Sequence, residues 1–181
     1  MNTKEIVKPA VMLFIIAAVA AMCLGVVSEV TKEPIAVQNQ LVLNSSMQAV
    51  MPEANSFEEL EIEASGTITG AYKSDNGGFV VTAAPSGFGG AVGVMVGIDA
   101  DGIVTGLRVT SHSETPGLGA KSTEPDFYEQ FTGIDTAAGT IAVTKDGGEI
   151  VPITSSTITS RAVASGASEA VAWFVENGGA Y

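Results

Sequence analysis

Between Pro9 and Val27 the chain reads PAVMLFIIAAVAAMCLGVV, with no charged side chain. As an α-helix this run is about 28 Å long, close to the thickness of a bilayer's hydrocarbon core. Backbone amides in hydrocarbon must bond within their own segment, so a run of this kind has to be helical. We therefore read a transmembrane helix over 9–28, a short N-terminus over 1–8, a helical connector over 29–64 and one further domain over 65–181. A cleaved signal peptide would have a shorter apolar stretch ending in a small-x-small site, whereas this run continues to Val27 and meets Ser28 and Glu29. A lipid-modified cysteine is disfavoured because Met22 precedes Cys23 where a small residue is expected. Lys4 and Lys8 lie before the run, and Glu29, Lys32 and Glu33 follow it. That asymmetry keeps the N-terminus cytoplasmic and puts the domain outside the membrane.

The rest of the chain is bounded by what it lacks. The net charge of −12 excludes an electrostatic hold on nucleic acid. The one cysteine falls inside the apolar run, so the domain has neither a disulfide framework nor a thiolate metal cluster, and its redox chemistry must come from a bound cofactor. The acidic stretch over 57–64, with Glu53 before it, reads as a solvated face, because it has no regular D-x-D-x-D ligand loop. We expect no metal, and find no Gly-x-Gly-x-x-Gly dinucleotide turn and no solenoid repeat.

Periodicity predicts a helix over 34–50, closed by Pro52. Strands follow over 66–72, 79–84, 91–99 and 103–111, all rich in Val, Ile and Thr, with Asp99 to Gly102 forming a tight hairpin. A helix over 124–131, strands over 140–143 and 150–153 around an Asp146-Gly-Gly turn, and an Ala-rich helix over 160–177 complete the reading. Ala162, Val163, Ala170, Val171 and Phe174 mark that last helix's buried face, and Gly178 and Gly179 its end. The fold class is α+β: an N-terminal transmembrane helix followed by one domain with a mainly antiparallel sheet and packed helices.

Two segments have the composition of binding loops. SHSETPGLGAK, residues 111–121, leaves a strand end and holds the chain's one histidine, His112, beside Glu114, Thr115, Gly117 and Leu118. Its glycines let backbone N–H groups approach a flat or anionic ligand, although Pro-Gly also makes an ordinary turn with polar neighbours facing water. VPITSSTITSRAV, residues 151–163, places Thr154, Ser155, Ser156, Thr157, Thr159 and Ser160 where a strand hands over to a helix, with Arg161 beside them. Hydroxyls and N–H groups there suit a phosphate, and they also suit helix capping.

Together, SHSETPGLGAK and SSTITS about forty residues later resemble the FMN-binding domain family, whose members carry FMN esterified through its phosphate to a threonine. The family's attachment signature, similar to S-G-A-T-x-T-S, falls on residues 154–160 and puts the acceptor on Thr157. Here the Gly-Ala pair is Ser155-Ser156, and the Asp that often opens the longer signature is Val151. The family includes G subunits of Rnf-type ferredoxin:NAD oxidoreductases and C subunits of sodium-pumping NADH:quinone reductases, both with one N-terminal membrane helix. The length of 181 residues and the short spacing between the two segments are closer to the Rnf type. The resemblance implies a covalent FMN at Thr157. It implies a phosphate environment from Thr154, Ser155, Ser156, Thr159, Ser160 and Arg161, and a ring lining from Glu114, Thr115, Gly117, Leu118 and His112. It further implies an electron-carrying role beside the other membrane and soluble subunits of an ion-translocating complex, and a flavin transferase for maturation. A stand-alone extracytoplasmic flavoprotein reductase, or an anchor without flavin, would be the different outcome.

Overall fold

A computed structural model describes residues 3–62 and 66–178. The ends of the expected segments at 1–2, 63–65 and 179–181, Gly179 among them, lie outside the described residues. The chain forms two compact units, Met1–Leu43 and Asn44–Tyr181.

The first unit is made by α1 (Thr3–Val50), whose last residues, from Asn44, belong to the second, and α1 contains the apolar run. It is long and apolar enough to cross a membrane. Its large side chains, Met12, Phe14, Leu24 and Val27 among them, are exposed in the chain by itself. A water-soluble helix would bury one such stripe; a membrane helix shows apolar side chains all round. Pro9 and Pro34 both lie within α1. Beyond the run the first polar groups bond locally: Thr31 Oγ1 donates to the Val27 carbonyl at 2.9 Å, and Lys32 pairs with Glu29 at 2.7 Å.

The second unit is built on a five-stranded antiparallel sheet whose strands lie in chain order. They are β1 (Phe57–Leu60), β2 (Ile68–Ser74), β3 (Phe79–Ala83), β4 (Gly93–Ile98) and β5 (Val104–Ser111). The expected hairpin joins β4 to β5: Asp99 Oδ1 accepts from the N–H groups of Asp101 and Ile103 at 3.0 and 2.9 Å. β1 falls in the acidic stretch that read only as a solvated face. Glu58 and Glu59 do face water, while Phe57 and Leu60 are half-buried. Charged side chains on an edge strand discourage further pairing, which is why an acidic stretch suits this position.

α3 (Thr157–Asn177) packs on one face of the sheet. Ala162, Val163, Ala167, Ala170 and Val171 meet Val81, Val94, Val96 and Ile98 in the core, and small side chains let helix and sheet approach closely. Phe79 sits edge-on to Trp173 and Phe174, with centroids 6.1 and 5.7 Å away. The other face is closed by the end of α1 and the turn after it, through Met47, Val50, Met51 and Ala54, all buried. Contact there is close enough that a Cβ on Gly97 would lie 2.5 Å from the Val50 carbonyl oxygen. Thr105 Oγ1 donates to that same oxygen at 2.5 Å.

Three elements differ from the sequence reading. The helix over 124–131 is a short α2 (Pro125–Tyr128) followed by a 3-10 turn over Glu129–Phe131, held down by Phe127 and Phe131 edge to face. The strands expected over 140–143 and 150–153 are not strands. Val143 and Ile150 make one isolated parallel bridge and bury their side chains, while Thr144–Asp146 between them is a 3-10 turn. Alternating apolar residues with too few pairing partners drop into the core singly. Finally, α3 begins at Thr157 rather than at Ser160, so half of the hydroxyl run is helical.

Candidate functional site

The 111–121 loop leaves the end of β5, and the 154–160 run opens α3. The fold brings them together through one buried carboxylate. Glu114 Oε2 accepts from Thr159 Oγ1 at 2.8 Å, and Oε1 accepts from the backbone N–H groups of Phe88 and Gly89 at 2.8 and 3.0 Å. Glu114 is only 6% exposed. Burial opposes its charge, but the N–H of Gly89, the Thr159 hydroxyl, the N–H of Phe88 and the charge of His112 together outweigh it, so the carboxyl is held below its usual range. The site is built around this group: a Cβ on Gly119 would run into Glu114 Oε2 and lie 2.7 Å from Thr159 Oγ1, which requires glycine there.

Around Glu114 is a cleft of about 350 Å³, lined by Phe88, Leu118, Gly119 and the turn over 155–159. Its rim is apolar: Phe88, Leu118 and Ile158 are 71%, 43% and 50% exposed. Thr157, half-buried in the first turn of α3, accepts a hydrogen bond from Lys145 Nζ at 2.9 Å. Ser156 precedes the helix and Ser155 has φ +63°, the left-handed region that favours glycine. The signature that Thr154–Ser160 resembles has its glycine at this position.

The residues expected at the site fall into two groups. Glu114, Leu118, Ser155, Ser156, Thr157 and Thr159 line the cleft. The others do not. Ser160 is buried behind it, donating to the Ser156 carbonyl and accepting from the Ile153 N–H. Arg161 makes a bidentate pair with Asp146, at 2.6 and 2.7 Å, which holds the Asp146 carboxyl below and the guanidinium above their ordinary values. Thr154 faces a separate depression with Lys121 and Gln130. His112 accepts from the Glu114 N–H at 3.3 Å, and Thr115 and Gly117 are exposed in the turn. Three side chains were not anticipated, Phe88, Ile158 and Lys145. The SGFGG stretch around Phe88, an aromatic among glycines, was the available signal for the first. Nothing in the spacing marked Lys145.

An apolar cleft lined by a threonine whose hydroxyl is bonded to a cation fits a flat aromatic ligand with an anionic tail. Residues 87–172 match the FMN-binding domain model, and residues 1–50 match the model of the RnfG N-terminal region. The solved structure of the C subunit of the Na(+)-translocating NADH-quinone reductase from Parabacteroides distasonis shares the fold, at TM-score 0.53 and 18% identity over 68% of this chain and 77% of that one. The class is thus that of membrane-anchored proteins with an FMN-binding domain.

Within that class, the G subunit of the Na(+)-translocating ferredoxin:NAD(+) oxidoreductase complex of Acetobacterium woodii is 37% identical, covering 90% of this chain and 88% of that protein. The G subunit of the ion-translocating oxidoreductase complex of Methanosarcina acetivorans is 34% identical, covering 90% of each. The chain belongs to the family of G subunits of Rnf-type ion-translocating oxidoreductase complexes.

Proposed function

We propose that this chain carries FMN esterified through its phosphate to Thr157 and relays electrons within an Rnf-type complex that couples ferredoxin:NAD electron transfer to sodium or proton movement. The observation that carries the reading is the placement of Thr157: as the first residue of α3 it lines the cleft, and its hydroxyl accepts a hydrogen bond from the Lys145 ammonium. When bound, the flavin supplies the electron transfer; the protein supplies position and shielding. Phe88, Leu118 and Ile158 form apolar walls for a ring system, and the Glu114 network keeps the loops that bear Phe88 and Leu118 against α3. A phosphoester tether fixes the ring's distance to the next centre, as a relay requires.

Attachment forms the Thr157 Oγ1–phosphorus bond as the bond from phosphorus to a nucleoside monophosphate leaving group breaks, with the hydroxyl proton passing to solvent. The donor is a flavin dinucleotide, and the catalyst a separate flavin transferase. The excess of lysine before the membrane helix supports an N-terminus on the cytoplasmic side and the flavin on the outer side. The remaining members of the complex are its partners, since the G-subunit relatives are named as parts of complexes.

The test is a denaturing gel of the full chain co-produced with a flavin transferase and viewed under ultraviolet light. Fluorescence that survives denaturation and disappears in Thr157→Ala is the expected result. A dark wild-type band, or a fluorescent Thr157→Ala band, overturns it.

A further inference from the structure

Arg161 is the cation that the sequence places nearest to the phosphate, one turn along α3 from Thr157. In the structure its Nε and Nη2 are both given to Asp146. The ammonium that reaches the Thr157 hydroxyl is that of Lys145, from a different part of the chain. Lys145 sits in the Thr144–Asp146 turn, whose flanking residues Val143 and Ile150 are anchored in the core. The turn is closed by the Asp146 N–H to the Val143 carbonyl at 2.8 Å, and the Asp146–Arg161 pair ties it to the second turn of α3. That pair also occupies the carboxylate next in sequence to Lys145, which would otherwise compete for its ammonium.

We propose that Lys145 is the positioning residue for the phosphate at Thr157: it draws the incoming flavin phosphate to the hydroxyl and afterwards neutralises the phosphodiester monoanion, with Asp146 and Arg161 as the clamp that aims it. The inference rests on the covalent reading above. An ammonium on a four-carbon stem acts as a point charge toward phosphate, so arginine can replace its charge and glutamine cannot. Arg161 thereby acts on the phosphate indirectly, through Asp146.

The experiment uses the full chain with limiting flavin transferase, and follows FMN addition by intact mass in wild type, Lys145→Gln, Lys145→Arg and Thr157→Ala. Lys145→Gln is expected to slow addition about fivefold, the scale of one exposed charge pair, with an unchanged thermal melt. Lys145→Arg restores most of the rate. In protein loaded to completion, the phosphorus NMR resonance of the phosphodiester shifts in Lys145→Gln and returns toward wild type in Lys145→Arg. Equal rates and equal resonances in wild type and Lys145→Gln overturn the role of Lys145 while the tether stands, and so does an arginine variant that behaves like glutamine. Absence of FMN from the wild type, or its presence on Thr157→Ala, overturns the tether and this inference together.

Discussion

The cleft around Glu114 and the turn that brings Lys145 to Thr157 are held by carboxylates used in opposite ways. Glu114 is buried, has no cation in hydrogen-bond contact among the described residues, and spends both oxygens on two backbone N–H groups and one hydroxyl. Asp146 is exposed and pairs with Arg161, which is also exposed. An exposed pair is screened by water and salt and contributes little to stability. A buried carboxylate with all its donors satisfied becomes costly the moment it is removed, because the donors stay behind unpaired. Detaching the loops that bear Phe88 and Leu118 from α3 is therefore costly, whereas the turn that bears Lys145 is tied to α3 by a weaker pair.

The largest effect that can break this contrast is Glu114→Ala. It is expected to destabilise the domain by about 3 kcal/mol by stranding the Phe88 and Gly89 N–H groups and the Thr159 hydroxyl. Chemical denaturation measures it, and a loss as small as that of a surface substitution would put the two carboxylates on one footing.

Acid provides a gentler version of the same break. The Glu114 carboxyl is depressed in the folded state, so its stabilisation is complete above the ordinary carboxylate pKa and is lost as pH falls through the lowered folded value. Thermal melts between neutral and strongly acidic pH should show wild type losing more stability than Glu114→Gln in that window. Parallel curves would remove Glu114 from the account of acid sensitivity.

The smallest effect concerns the turn that leads into α3. Ser155 holds φ +63°, where a Cβ is unfavourable by about 1–2 kcal/mol, partly offset in glycine by its freer unfolded chain. Ser155→Gly is thus expected to raise stability by about 0.5 kcal/mol, read from the denaturation midpoint, and to leave FMN attachment intact. A destabilised Ser155→Gly would mean that the serine side chain contributes something at the cleft that its backbone strain conceals.

Much of the fold could be read in the chain. The apolar run, the four long strands with their hairpin at Asp99–Gly102, and the Ala-rich helix carry their own periodicities, and each lies near its expected place. β1 was hidden because its exposed residues are acidic and its apolar ones, Phe57 and Leu60, are few and only half-buried. The strands expected around Asp146 do not form because their alternation is local, whereas a strand exists only if a neighbour accepts its hydrogen bonds.

Sequence by itself determined the membrane helix, the kind of domain that follows it and the threonine-rich segment at its site. These depend on local chemistry: an unbroken apolar run, a period of two or of 3.6, a signature of hydroxyls. Only the tertiary structure decided who stands beside Thr157. Lys145 lies twelve residues away across a core-anchored turn, Phe88 comes from a glycine loop, and Arg161 is committed to Asp146 although it sits one turn from the acceptor. Proximity along a chain does not fix which donor reaches which acceptor. That is settled by the buried contacts that aim each loop, here Glu114 for the cleft and the Val143–Ile150 bridge for the turn that bears Lys145.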